Sequence, residues 1–322
     1  MRIFPFLPLF ALFQDMNPIL LFLTLCVAKF PMENMSMVVT DQAQHRVILL
    51  LVPSGEIIRE WRAADIPEAH RKWFRNPSEA KMSRDGKFIL TCASGGGAAI
   101  IRLSDAKTLW YDSVGGNPHS LDIAPHNTVV VASSTGNSYT VFRYDTATAY
   151  QPNRPRQSFF VTDAHAVNFY DDRFYIAGGS NIWIYKLRQG NPEGVAGLVP
   201  DTTVIIPGRG AHDMIYGARY GVFYLTTVDT LLEFHTADKS FHRVASKISR
   251  NIKSFSEGND DFPTTLTIPK EQWWTDEIKD LQGKTVLHLP GARIYKARWM
   301  RGFINTYTEK NAKGDTTLFK KW

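Results

Sequence analysis

Cysteine is almost absent. The 322 residues hold only Cys26 and Cys92, and because Cys26 lies in an apolar leader the rest of the chain keeps one thiol and no internal disulfide. Stability has to come from packing. Runs of one charge are lacking as well: thirty-seven Lys and Arg against thirty-one Asp and Glu leave a net +6, with no block of five or six like charges. Nucleic acid is therefore not an expected partner. No apolar run reaches the roughly 18 to 20 residues that a membrane span requires. Helical periodicity is scarce, and its best candidates are short, Ala64 to Lys72 and Trp273 to Leu281. Familiar catalytic signatures are also missing: there is no G-x-S-x-G elbow, no H-E-x-x-H and no C-x-x-C. With no dinucleotide fingerprint or phosphate loop, no nucleotide cofactor is implied. Gly95-Gly96-Gly97 joins two expected strands, whereas a phosphate cradle needs a strand leading into a helix, and it reads as a hairpin.

Apolar residues, by contrast, make up 44% of the chain and aromatics 12%, enough for a packed core. Residues 1–28 carry one Arg2, two apolar runs broken by Gln14, Asp15 and Asn17, and small residues before Lys29. That pattern reads as a secretory signal peptide cleaved after Ala28, with Met16 as an alternative start. A secreted or secretory-pathway product follows, with one domain over 29–322 and no stable membrane span once the leader is gone. Asn34-Met35-Ser36 is a glycosylation sequon that agrees with this route.

The chain repeats itself. Lys81 opens KMSRDGKFILTCAS, His119 opens HSLDIAPHNTVVVASS, His165 opens HAVNFYDDRFYIAGG and His212 opens HDMIYGARYGVFYLTT, with weaker copies at Lys253 and Lys296. The offsets are 38, 46, 47, 41 and 43 residues, and a four-stranded propeller blade takes roughly 40 to 45. Each unit supplies an alternating strand, a polar turn, a β-branched or aromatic strand and two more strands. The spacing predicts an all-β, six-bladed propeller. Residues 37–61 hold three strands without an inner one, so these N-terminal strands are expected to complete the blade begun at Lys296 and leave no open edge. A seventh blade from 302–322 is the alternative.

Inner strands of a propeller surround a channel, so residues at equivalent points on them converge. The expected ring is Lys81, His119, His165, His212, Lys253 and Lys296, with Asp41 and Asp163 as neighbours. Three readings stay open. The three imidazoles could hold Zn²⁺ or Mn²⁺ with a position left for a substrate oxygen. They could act without metal as acids and bases while the lysines hold an anionic oxygen. Or the ring is structural, each His bonded to backbone carbonyls and each Lys paired with an acid. Trp273 and Trp274 alternate in direction, which suggests one in the core and one at a channel rim. Trp299, Phe169, Met214 and Phe255, close to the ring in sequence, are candidates for an apolar mouth, and Trp61, Trp73, Trp110, Trp183 and again Trp299 for packing between blades. Arg71-Lys72-Trp73-Phe74-Arg75 is a small basic, aromatic cluster that reads as a solvated loop. Cys92 is expected to be buried and inert.

Asn117-Pro118-His119-Ser120, Asp163-Ala164-His165-Ala166, Ala211-His212-Asp213, Trp273-Trp274-Thr275-Asp276 and Ile294-Tyr295-Lys296-Ala297-Arg298-Trp299 resemble the repeated motifs of a widespread, uncharacterised family of six-bladed propellers. The resemblance runs from about Met37 to Trp299 and implies the fold but no reaction. In the recurring histidine alone the chain is similar to propeller polysaccharide lyases, which use His and metal in a central funnel. In fold and leader it resembles fungal hetero-Diels–Alderases of tropolone sesquiterpenoid pathways, which dehydrate a hydroxymethyl tropolone and guide its cycloaddition with an alkene. The expectation carried forward is a propeller acting on a small anionic organic molecule in its funnel, by His and Lys acid–base chemistry and cycloaddition, with a metal-assisted lyase or a non-catalytic binder as alternatives.

Overall fold

The computed structural model describes residues 35–188 and 194–300, and the backbone of 307–310 and 316–319. The leader at 1–28, Cys26 and the Asn34 of the sequon lie outside the described residues.

Short β-branched and aromatic stretches separated by polar turns form strands, and the strands form six four-stranded antiparallel sheets among the described residues. The first three strands, β1 (Ser36–Asp41), β2 (Arg46–Leu51) and β3 (Ile57–Trp61), form one sheet with a strand from the other end of the chain. The next blade is β4 (Pro77–Met82), β5 (Phe88–Ala93), β6 (Gly97–Arg102) and β7 (Thr108–Ser113). It is followed by β8 (Pro118–Ala124), β9 (Thr128–Ser133), β10 (Ser138–Arg143) and β11 (Arg156–Phe160). Then come β12 (Ala164–Tyr170), β13 (Arg173–Gly178), β14 (Asn181–Arg188) and β15 (Gly197–Ile205). The fifth sheet holds β16 (Ala211–Tyr216), β17 (Val222–Thr227), β18 (Leu231–His235) and β19 (Phe241–Arg243). The sixth holds β20 (Ser254–Ser256), β21 (Thr265–Thr267), β22 (Glu277–Asp280) and β23 (Thr285–His288).

The closing strand, β24 (Ile294–Trp299), pairs antiparallel with β1, with Met37 opposite Trp299 and Val39 opposite Ala297. Both ends of the propeller sequence thus share one blade, as the three orphan strands at 37–61 implied. Residues 302–322 do not make a seventh four-stranded blade among the described residues; they contribute a two-stranded pair, β25 (Tyr307–Lys310) and β26 (Thr316–Phe319).

The core lies between sheets. Leu90, Ile100 and Trp110 of one blade pack with Leu121, Val129, Val131 and Phe142 of the next, all fully buried, and each such interface buries apolar area that favours folding at about 25 cal/mol per Å². Cys92 is among them, and burial pushes its thiol up to about 12, so it is inert as expected. Of the two helical candidates, Ala64 to Lys72 yields a helical turn at Glu68–Arg71, continued by a 3-10 turn at Lys72–Phe74. Trp273 to Leu281 does not form a helix: its second half is β22, recruited by pairing with β21 and β23. Gly95-Gly96-Gly97 is the β5–β6 turn, and a Cβ on Gly95 would sit 2.6 Å from the Lys72 carbonyl oxygen, which explains the glycine there.

Candidate functional site

The inner strands start alike. Asn76, Asn117, Asp163, Gly210 and Asn251 all take a left-handed backbone, with φ of 54°, 58°, 51°, 60° and 54°, a conformation that Gly, Asn and Asp tolerate best. Two residues later comes a β-bulge at Ser78, His119, His165 and His212, where the pairing register to the second strand slips by one. Lys253 and Tyr295 occupy the same place on the last two blades: Lys253 N–H bonds the Thr267 carbonyl, and Tyr295 lies in the irregular step between β24 and β1. The bulge leaves this residue outside the regular alternation of the strand.

All the residues at this bulge position except Ser78, which is buried against the Cys92 and Pro118 carbonyls, surround one mouth of the channel. A cavity of about 430 Å³ is lined by Gln42, Asn76, Ser94, Asn117, His119, His165, His212, Lys253, Trp273 and Tyr295, a volume that suits a small ligand. Neighbouring rings form an arc: Tyr295 to His119 is 5.6 Å between centroids, His119 to His165 4.6 Å, and His165 to His212 5.4 Å. Lys253 ends the arc, with Nζ 3.1 Å from His212 Nε2.

The imidazoles are not equivalent. His119 Nδ1 lies 2.9 Å from the Asn117 carbonyl and His165 Nδ1 2.9 Å from the Asp163 carbonyl. A carbonyl only accepts, so both rings carry a proton on Nδ1, and their Nε2 has no hydrogen-bond partner among the described residues. His212 forgoes that bond: its Nδ1 is buried without a partner among the described residues, and its Nε2 meets Lys253. Burial, then the neighbouring His165, holds His119 well below the ordinary imidazole value, and burial, then Lys253, brings His212 down to about 3. Burial likewise lowers the Lys253 ammonium, and among the described residues no carboxylate pairs with it. Burial pushes the Tyr295 hydroxyl up, so it stays protonated as a donor.

Lys81 and Lys296 belong to a different layer and do not line the cavity, contrary to the expected ring. They sit deeper by register, Lys296 one residue and Lys81 three residues beyond the bulge, and both are fully buried. Lys296 Nζ donates to Glu79 Oε2 at 3.1 Å, Asp213 Oδ1 at 3.0 Å and the His119 carbonyl at 3.1 Å. Arg298 forks onto the same two acids, at 2.8 Å from Glu79 Oε1 and 2.7 Å from Asp213 Oδ1. Lys81 donates to the Val167 carbonyl at 2.8 Å and to Asn168 Oδ1 at 3.3 Å, with Asp122 at 3.6 Å. Three basic and three acidic side chains therefore plug the channel beneath the cavity, and burial lowers the Lys81 ammonium. Burial disfavours the charge on Glu79 and Asp213, but Arg298 and then Lys296 outweigh it and hold both carboxyls below their usual range.

Asp41 and Trp299 are also placed elsewhere. Asp41 is buried, paired with Arg46 at 2.8 Å, and accepts the Arg293 and Ala43 N–H groups. Trp299 packs on Phe262 and donates to the Pro263 carbonyl. Asp163 shapes the turn before His165, its carboxylate 3.2 Å from His165 Nδ1. Phe169, Met214 and Phe255 are core residues, so the expected apolar mouth is reduced to Trp273, which is half-exposed at the rim with Nε1 bonded to Gln42. Trp274 lies beneath Arg293, 5.0 Å from its guanidinium. No three His, Cys, Asp or Glu among the described residues group as a metal site, and the Nε2 of His212 faces Lys253. Sequence reasoning missed Tyr295, Gln42, Asn76, Ser94 and Asn117. Asn76-Pro77-Ser78 beside Asn117-Pro118-His119 was the available signal, since it puts Ser78, not Lys81, in register with His119.

The model of a family of unknown function (DUF6528) matches residues 24–186 and 201–314. No curated protein matches. Among solved structures, a protein of unknown function from Bacteroides caccae is similar with a TM-score of 0.54 and 13% identity, over 82% of this chain and 98% of that one. The β-propeller domain of Myceliophteria thermophila Cps50 (Swd1) is similar with a TM-score of 0.50 and 12% identity, over 82% and 85%. At such identities the likeness shows a shared propeller fold. No helix among the described residues is long and apolar enough to cross a membrane.

Proposed function

The chain belongs to DUF6528, a family of unknown function, and from that premise we propose that its channel mouth binds a small organic molecule with an acidic hydroxyl, and that the bound form is the anion. The observation that carries this reading is the chemistry of the lining: one ammonium, two unpartnered imidazole nitrogens and several neutral donors, with no carboxylate. The Nε2 of His165 takes the proton of the acidic hydroxyl and donates back to the oxygen left charged, to which Lys253 and the Tyr295 hydroxyl also donate. Lys253 is the one cation among the described residues lining the cavity and favours a negatively charged ligand. Trp273 offers an aromatic face at the rim.

The same groups suit acid–base turnover. A base that takes a hydroxyl proton and a cation that stabilises the oxyanion are what loss of water from a hydroxymethyl tropolone requires, and the hetero-Diels–Alder reading belongs here as the catalytic form of the proposal. A binder without turnover is its other form. The test uses tropolone as probe, titrated calorimetrically into the full-length chain and its Lys253→Met and His165→Phe variants. One site per chain is expected, weakened about tenfold or more in Lys253→Met, since hydrogen bonds to charged groups contribute about 1.5–3 kcal/mol. Equal affinity in all three proteins would remove the reading.

A further inference from the structure

We propose that Lys253 is a carbonyl-reactive nucleophile, paired with His212 as its proton carrier, and that the cavity takes an aldehyde or ketone as an imine. This rests on the cavity being the small-molecule site described above, and it narrows the ligand to one with a carbonyl beside the acidic hydroxyl.

Three observations converge. Lys253 Nζ stands in the cavity wall 3.1 Å from His212 Nε2, and among the described residues no carboxylate neutralises it. The two other lysines of the channel are each held by acids in the plug and have no access to the cavity. His212 alone of the three imidazoles makes no bond to the carbonyl two residues before it and turns instead to a lysine. If Lys253 donates to Nε2, the imidazole proton sits on Nδ1, buried and orphaned. In the opposite arrangement Nε2–H donates to the amine and Nδ1 is an unfilled acceptor, and an orphaned buried N–H is the rarer of these two situations. Burial, which lowers the lysine, favours the amine in the same direction while the cavity is empty, and an anionic ligand draws the proton back onto Lys253.

The chemistry balances without an outside reagent. The amine lone pair forms the C–N bond as the carbonyl π pair moves onto oxygen. His212 Nε2–H gives its proton to that oxygen, and the freed Nε2 then takes a proton from the new C–N nitrogen, giving a carbinolamine. Nε2–H next protonates the departing hydroxyl and Nε2 recovers the last proton of that nitrogen, so one water is released and the C=N bond remains. The His119 and His165 Nε2 atoms meanwhile hold the neighbouring hydroxyl of the ligand.

The probe is salicylaldehyde, which joins an acidic hydroxyl to an aldehyde, incubated with the full-length chain and sodium cyanoborohydride and followed by peptide mapping. The proposal expects one dominant reduced adduct at Lys253. It expects His212→Gln to slow labelling about tenfold or more, and Lys253→Arg to bind salicylaldehyde, measured without reductant, yet carry no adduct at that position. Labelling spread over surface lysines with none favoured at Lys253, while the aldehyde still binds, overturns the imine and leaves the binding site standing. Failure of salicylaldehyde to bind, with tropolone also failing, overturns both. Labelling at Lys253 that is indifferent to His212→Gln overturns the proton-carrier role.

Discussion

Lys253 and Lys296 show how position decides what one side chain does. Lys296 is clamped by Glu79, Asp213 and the His119 carbonyl in the plug, so its charge is spent on holding blades together. Removing one member leaves a buried charge uncompensated, which costs about 3–5 kcal/mol; Glu79→Gln should lower stability by that order in chemical denaturation. Lys253→Met should leave stability within about 0.5 kcal/mol, because Lys253 is half-buried and bonds a neutral ring. Those two variants separate plug from site. The recurring His at 119, 165 and 212 was legible from the sequence, because each stands at the same point of a strong repeat. Lys81 and Lys296 were misplaced because a lysine near the start of an inner strand looks alike at three different depths, and only the register to the preceding turn distinguishes them.

At the scale of the element, the site is made by a turn and a bulge. In two blades the left-handed residue before the inner strand aims a carbonyl at the imidazole two residues on, Asn117 for His119 and Asp163 for His165. A β-branched residue there is strained, by about 1–2 kcal/mol. Asn117→Val should therefore destabilise by about that amount and weaken tropolone binding, whereas Asn117→Gly should keep both nearly unchanged; thermal melts and titration of the two variants check it. The strands themselves were readable from alternation and β-branched residues. The bulges were not, because a bulge is a mismatch between two strands and leaves no mark in either one alone. Trp273 to Leu281 misread as helical for a related reason, since its strand character comes from pairing with β21 and β23 and not from its own pattern.

At the scale of the molecule, closure and charge set stability together. The fold was the most legible feature, because a repeat near 43 residues fixes a blade and the unmatched strands at 37–61 fix the closing pair. Stability should fall with acid in two windows. His212 takes its proton near 6.5 when unfolded but only at about 3 when folded, so between those values the unfolded chain binds more protons and stability drops as pH falls. Glu79 and Asp213 are held below their ordinary values, so their contribution is full above the unfolded range near 4 and is lost as pH falls through the folded values. His119, also held below its ordinary value, shares the upper window, so His212→Gln should reduce that window by up to about 1.4 kcal/mol per pH unit, leaving the share of His119 and the lower window, as read from denaturant midpoints between pH 7 and 3.

The account stands or falls on whether the channel mouth is an anion site centred on Lys253, and the most direct measurement is calorimetric titration of tropolone into the full-length chain and Lys253→Met, with matched thermal melts. The account predicts one site per chain, weakened about tenfold or more in the variant at unchanged melting temperature. Undiminished binding in Lys253→Met, or no binding to the unsubstituted chain, would contradict it.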